Sequence, residues 1–223
     1  MIKTILFDVD NTLLDFDECS KLAIKQALSE FDLPFDDFLF ETYLEVNKVL
    51  WQKIETGELT RERLYQIRWQ IIFDKLGIHR CGQDFELLFL DNLKKQSAKI
   101  DGADEILQYL SAKYNLCVAS NAPYAQQMQR LKNADLNKYF NLFFVSEKVG
   151  HQKPTKEFFD FCFDQLGNPD KNSVMIIGDS VTADISGGKA YGIKTCWFDR
   201  YGTLKKVDAD YTIKNLLELK KIL

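Results

Sequence analysis

Ile2-Lys3-Thr4-Ile5-Leu6-Phe7-Asp8-Val9-Asp10-Asn11-Thr12 opens the chain with a short, almost wholly apolar run that stops at two carboxylates. Such a run reads as a fully buried strand leading into a loop, the kind found inside parallel sheets. While the strand stays extended, residues two apart point the same way, so Asp8 and Asp10 face one crevice.

From Asp17 to Ser97 the pattern changes. Apolar residues recur at three and four positions, as in Tyr43, Val46, Leu50 and in Leu64, Ile67, Ile71, which predicts helices, and no strand stands out. Pro34 and Asp36 precede one helix and Gly57 follows it, whereas Thr60 can cap the next and Gly77 close it. After Asp101-Gly102 helices and strands alternate: a helix through Lys113, a strand at 115–119, a helix from Pro123 and a strand at 142–145. A helix near 156–166, a strand at 173–177, a helix near 183–191, a strand at 194–198 and a last one near Tyr211 complete the series. Apolar strands joined by amphipathic helices predict an α/β fold, a doubly wound parallel sheet of the Rossmann-like kind with helices on both faces. The expected domains are a core of residues 1–16 and 98–223 and an inserted helical unit of residues 17–97.

A length of 223 residues with 46% hydrophobic content allows a substantial core. Lys and Arg total 29 against 33 Asp and Glu, so a net charge of -4 offers no basic field for a nucleic-acid polymer and points to a small-molecule partner. The five cysteines are far apart and form no Cys-x-x-Cys pair, which suggests neither zinc nor a disulfide framework and suits a reducing cytoplasm. No stretch reaches membrane-spanning length, so no membrane association is expected. The doublets Lys94-Lys95, Lys205-Lys206 and Lys220-Lys221 read as solvated faces.

Polar residues follow four strands: Asp8 and Asp10, Ser120 and Asn121, Ser146 and Glu147, and Gly178-Asp179. Parallel strands put these ends along one edge. Together with Asp184, up to four carboxylates gather there, which is unfavourable without a cation. The candidate ligands are all oxygens with no nearby His or Cys cluster, which favours magnesium. One lysine, Lys153, and one divalent ion leave a carboxyl that can be protonated part of the time, a role assigned to Asp10 as general acid and then base. Asp8 would attack phosphorus and carry an aspartyl phosphate. Lys153, the Ser120 hydroxyl, backbone amides and the ion would neutralise the phosphoryl oxygens. Plainer readings exist for each: Asp-x-Asp as an ordinary turn, Ser120 and Asn121 as a helix cap, Lys153 as a surface lysine, Asp184 as a cap.

Asp8-Val9-Asp10-Asn11-Thr12, Ser120-Asn121, Lys153-Pro154 and Gly178-Asp179 with Asp184, in that order, resemble the four motifs of the haloacid dehalogenase superfamily. The resemblance implies Asp8 as nucleophile and Asp10 as acid/base. It implies magnesium held by the Asp8 carboxylate, the Asp10 backbone carbonyl and Asp179. Asp184 falls to an outer-shell role, and Thr12 and Asn121 to the phosphate and substrate side. The helical block looks like the family's mobile cap, which closes over substrate and excludes water. A narrower likeness joins Val46-Asn47-Lys48 with Trp51, Gly167-Asn168-Pro169-Asp170 and Thr195-Cys196-Trp197 to the bacterial pyrimidine 5'-nucleotidase branch. It implies a nucleoside monophosphate substrate, with Asn47 and Trp51 at its base. Trp51 is equally readable as cap core with Tyr43 and Trp69. Competing functions are a sugar-phosphate or phosphoglycolate phosphatase, a mutase, a phosphate-accepting receiver and a non-catalytic binding protein; Asp10 argues against a dehalogenase proper.

Overall fold

The computed structural model describes residues 1–203 and 206–223. In chain order the elements are β1 (Thr4–Phe7), α1 (Phe16–Glu30), α2 (Asp37–Glu55), α3 (Arg61–Leu76), α4 (Gly82–Leu93), α5 (Ala103–Ser111), β2 (Asn115–Ser120) and α6 (Tyr124–Asn133). Then come β3 (Leu142–Val145), α7 (Ser146–Val149), α8 (Lys156–Gln165), β4 (Val174–Gly178), α9 (Gly187–Tyr191), β5 (Lys194–Phe198) and β6 (Tyr211–Ile213). The strands form one parallel sheet in the order β3-β2-β1-β4-β5-β6, the doubly wound α/β fold the sequence predicts. Because the chain winds outward in both directions from β1, the sheet's switch point lies between β1 and β4, where ligands of such sheets bind.

Side chains alternate across β1: Ile5 and Phe7 join Leu107, Leu110 and Val118 on one face, and Leu6 joins Phe158, Phe159 and Ile176 on the other. Burial on both faces explains the unbroken apolar runs, each fully buried Leu or Phe contributing about 1.5–3 kcal/mol.

The chain divides into two compact units, Met1–Asp15 with Ser97–Leu223, and Phe16–Gln96. The second is all helix, α1 to α4. Asp36 accepts from Leu39 N (2.6 Å) at the start of α2, Thr60 accepts from Arg63 N (3.2 Å) at the start of α3, and Gly77 ends α3 at φ 67°. Tyr43, Trp69, Phe73, Phe85 and Phe89 fill its centre, with Trp69 and Phe85 edge to face at 4.3 Å. Tyr43 and Trp69 are therefore core of this unit, whereas Trp51 is half-buried. Within the sheet unit, the residues flanking the insertion are stitched together: Asp15 N donates to Ala98 O and Ile100 N to Leu13 O, both at 2.9 Å, with Leu14 bridging Lys99 antiparallel.

Several local features depart from the sequence reading. The expected helix near 183–191 is split into a π-type turn, Val181–Ser186, and α9. Ser146 and Glu147 follow β3 as the sequence reading has them and open α7, a short helix it did not include; the Glu147 carboxylate accepts from Tyr124 N (2.9 Å), capping α6. The doublet lysines Lys94, Lys95 and Lys220 do not depart from their reading: all three are exposed, Lys94 and Lys95 pairing with Asp91 and Lys220 with Glu105 at the surface; Lys205 lies outside the described residues. No helix among the described residues is long and apolar enough to cross a membrane.

Candidate active site

Asp8 follows β1 directly, its amide bonded to Ile177 O of β4 (2.9 Å), which fixes it at the switch point. The loop beyond it is tight. Asn11 takes a left-handed φ of 57°, which Asn tolerates better than most residues, and Leu13 N and Leu14 N both return to Val9 O (2.8 and 2.9 Å). That fold brings the buried Thr12 hydroxyl back to donate to Asp8 Oδ2 (3.1 Å). The other oxygen, Oδ1, accepts from Lys153 Nζ (2.8 Å).

Lys153 is 1% exposed, and its ammonium also donates to Asp184 Oδ1 and Ala119 O, both at 2.6 Å. All three ammonium protons therefore have acceptors. Burial opposes its charge, yet Asp184 and Asp8 more than offset this and raise its pKa. Asn121 locks the lysine's backbone, donating to Lys153 O and accepting from Lys153 N, both at 2.9 Å. Its amide thus holds the lysine in place, rather than lying open to a substrate at both ends.

Asp184 is fully buried, with Oδ2 accepting from Ser180 N (3.1 Å). The carboxylate occupies the space a side chain at Gly178 would fill: a Cβ there would stand 2.1 Å from Asp184 Oδ2. Gly178 is thus required by close approach, and the widened π-type turn is what carries Asp184 in. Asp8, Asp179 and Asp184 each offer a carboxylate oxygen, all within 4.8 Å of one another. Burial pushes the Asp8 carboxyl up to about 7, Lys153 opposing and Asp184 and Asp10 adding to it. Burial, then Asp8 and Asp184, raise Asp179 well above the usual carboxylate range. An all-oxygen donor set that repels itself in this way fits a hard divalent cation such as magnesium.

A consequence is testable in the chelated protein. Asp8 binds its proton more tightly folded than unfolded, so its stabilising contribution is present below about pH 4 and lost as pH rises through about 7. The melting temperature without metal should fall over that interval, and the rise on adding magnesium should grow with pH, since only ionised carboxylates bind it. A magnesium-induced rise that is flat from about pH 5 to 8 would contradict this.

Asp10 is 27% exposed at its side chain and pairs with Arg130, while Oδ2 accepts from Gln127 Nε2 (3.0 Å). Ser120 is buried, its oxygen accepting from Gln127 Nε2 (3.1 Å) and Ala122 N (3.2 Å). The sequence reading missed Gln127 and Arg130. It also undercounted positive charge: Arg130, Lys153 and one divalent ion balance the carboxylates of Asp8, Asp10, Asp179 and Asp184, so charge deficit does not by itself require a protonated Asp10. A spacing of three puts the two residues on one face of α6, the helix that follows Ser120-Asn121, but no local feature of the sequence marks that face as the inward one. In the helical unit, Asn47 is 8% exposed and its Oδ1 accepts from Arg68 Nη1 (2.7 Å), beside the buried Arg68–Glu86 ion pair (2.5 Å).

Fold and site together define the class: a doubly wound α/β protein with an acidic cluster at the switch point of its sheet and a helical insertion after the first strand. The family model for haloacid dehalogenase-like hydrolases matches residues 5–198. The chain is 34% identical to the pyrimidine 5'-nucleotidase PynA of Streptococcus pneumoniae, over 88% of this chain and 84% of that one. It is 30% identical to the pyrimidine 5'-nucleotidase YjjG of Escherichia coli, over 98% and 96%. The crystal structure of the HAD-hydrolase YfnB from Bacillus subtilis, bound to magnesium, superposes with a TM-score of 0.95 at 32% identity, covering 100% of this chain and 98% of that one. This chain belongs to the haloacid dehalogenase-like hydrolase family.

Proposed function

We propose that the protein is a magnesium-dependent phosphomonoesterase acting through an aspartyl phosphate on Asp8, and that its substrates are nucleoside 5'-monophosphates, pyrimidine forms first. The observation that carries the chemistry is the Asp8 carboxylate, buried at the switch point, with Lys153 on one oxygen, Thr12 on the other and Asp10 two residues on. The relatives PynA and YjjG, pyrimidine 5'-nucleotidases by name, support the substrate class. Reducing cytoplasm is the expected setting.

An Asp8 oxygen forms the bond to phosphorus as the ester P–O bond breaks, and Asp10 passes its proton to the departing oxygen. In the second half, ionised Asp10 takes a proton from water, whose oxygen bonds phosphorus as the bond to Asp8 breaks. Lys153 holds Asp8 in place, and the Ser120 hydroxyl can donate to a phosphoryl oxygen. The Asp8 and Asp179 carboxylates and the Asp10 carbonyl would hold magnesium, with Asp184 bound to Lys153 behind them; when bound, the ion supplies positive charge to the phosphoryl oxygens. Asn47 and Trp51 of the helical unit are the proposed base contacts, Asn47 through the NH2 end that Arg68 does not engage.

A panel of nucleoside monophosphates and sugar phosphates, read by phosphate release with and without chelator, tests this. Pyrimidine nucleotides should be turned over fastest, and chelation should stop the reaction. Sugar phosphates turned over far faster than any nucleotide would replace the substrate assignment and leave the chemistry standing.

A further inference from the structure

Helix α6 starts just beyond Ser120-Asn121, so its first two turns flank the carboxyl edge of the sheet. Gln127 and Arg130 are both fully buried there, and a separation of three residues puts them on one helical face. Arg130 Nη1 pairs with Asp10 Oδ1 and donates to Gln127 Oε1 (3.3 Å). Gln127 Nε2 donates to Asp10 Oδ2 (3.0 Å) and to Ser120 Oγ (3.1 Å). Each oxygen of Asp10 therefore has its own buried donor. A flip of the Gln127 amide would set its carbonyl against the Asp10 carboxylate and Arg130 against an NH2 group, so chemistry fixes its orientation.

The same amide constrains Ser120. A hydroxyl has two lone pairs and one proton. Gln127 Nε2 and Ala122 N occupy the acceptor side of Ser120 Oγ, at 3.1 and 3.2 Å, which leaves its proton to be donated.

We propose that Gln127 and Arg130 are positioning residues for the reaction, a two-point clamp that orients the Asp10 carboxyl and makes Ser120 a donor toward the phosphoryl group. This rests on the phosphatase reading above. Asp10 has to meet two different atoms in turn, the leaving ester oxygen to which it gives a proton and the water from which it takes one. A carboxylate that can swing misses both.

The test uses Arg130→Lys, which keeps the charge but loses the planar fork, and Gln127→Met, which removes the donors without changing charge. Both should keep magnesium affinity and KM close to wild type, while kcat for a nucleoside monophosphate falls about 10²-fold. With p-nitrophenyl phosphate, whose leaving group needs little help from an acid, the variants should release a burst of nitrophenol and accumulate phosphorylated Asp8, because only the water step is then impaired. Equal losses on both substrates with no burst would mean the pair merely supports the fold and would overturn the clamp. If Arg130→Lys fails to fold, Gln127→Met carries the same readout. A wild-type protein that releases no phosphate, or an Asp10→Asn variant as active as wild type, removes the phosphatase reading itself, and the clamp falls with it.

Discussion

Asp8→Asn is expected to lower phosphate release by about 10⁴-fold or more while leaving the protein folded, because no other side chain can take over the bond to phosphorus. Asn is nearly isosteric and keeps one carbonyl oxygen toward Lys153 or Thr12, so the loop that returns Thr12 to this position retains its backbone bonds. Removing one negative charge also relieves repulsion with Asp184 and Asp179, so the metal-free variant should melt no lower than wild type. Acid quenching of wild type during turnover should leave a phosphoryl group on the peptide carrying Asp8, and the variant should carry none. Wild-type rates in Asp8→Asn, checked by mass spectrometry to exclude deamidation back to Asp, would end the covalent mechanism.

Lys153→Met should cost about 3–5 kcal/mol of stability in the presence of chelator, the size expected when one partner of a buried ion pair is removed. The reason is the company the ammonium keeps: it is 1% exposed and holds Asp8 and Asp184, themselves 8% and 0% exposed, along with Ala119 O. Its loss leaves two buried carboxylates facing each other and one carbonyl without its donor. Magnesium should recover part of the deficit by binding the same acids, and a urea titration with and without the ion reads both effects. Activity should fall at least about 10²-fold even where the variant is folded, since a positive group beside the attacking oxygen is gone. A loss below about 1 kcal/mol in chelator would mean the cluster sheds its charge by protonation more readily than its geometry suggests.

How much of this could be read from the sequence depends on the kind of signal. Strands buried on both faces leave continuous apolar runs, so β2 and β5 fall within a residue or so of their predicted limits, as does the half-buried edge strand β3, and the polar residues at the end of β2 mark the site edge. Helix punctuation was equally readable at Asp36, Thr60 and Gly77, where a single side chain or a left-handed residue decides the boundary. What escaped depends on rotation and on long-range packing. Helix α6 carries Gln126, Gln127, Gln129, Arg130 and Lys132, and nothing local says that Gln127 and Arg130 turn inward while Gln129 and Lys132 face water. A buried arginine is spelled like a solvated one until its carboxylate partner, 120 residues away in the chain, is placed beside it. The π-type turn before α9 was invisible for a related reason. Periodicity near 3.6 cannot announce one wider turn, which here is stabilised by Asp184 reaching Lys153 and the Ser180 amide.

The stitched pair of crossings at Leu13–Asp15 and Ala98–Ile100 has an evolutionary reading. Because the two ends of the insertion are already tied by main-chain bonds within the sheet unit, whatever lies between them can lengthen, shrink or be exchanged at little extra cost in loop closure. Under the proposed function, the insert could therefore vary without moving Asp8 or Asp10. If the insert sets substrate choice as proposed, remodelling it alone would be a route to new diets that leaves the sheet edge undisturbed.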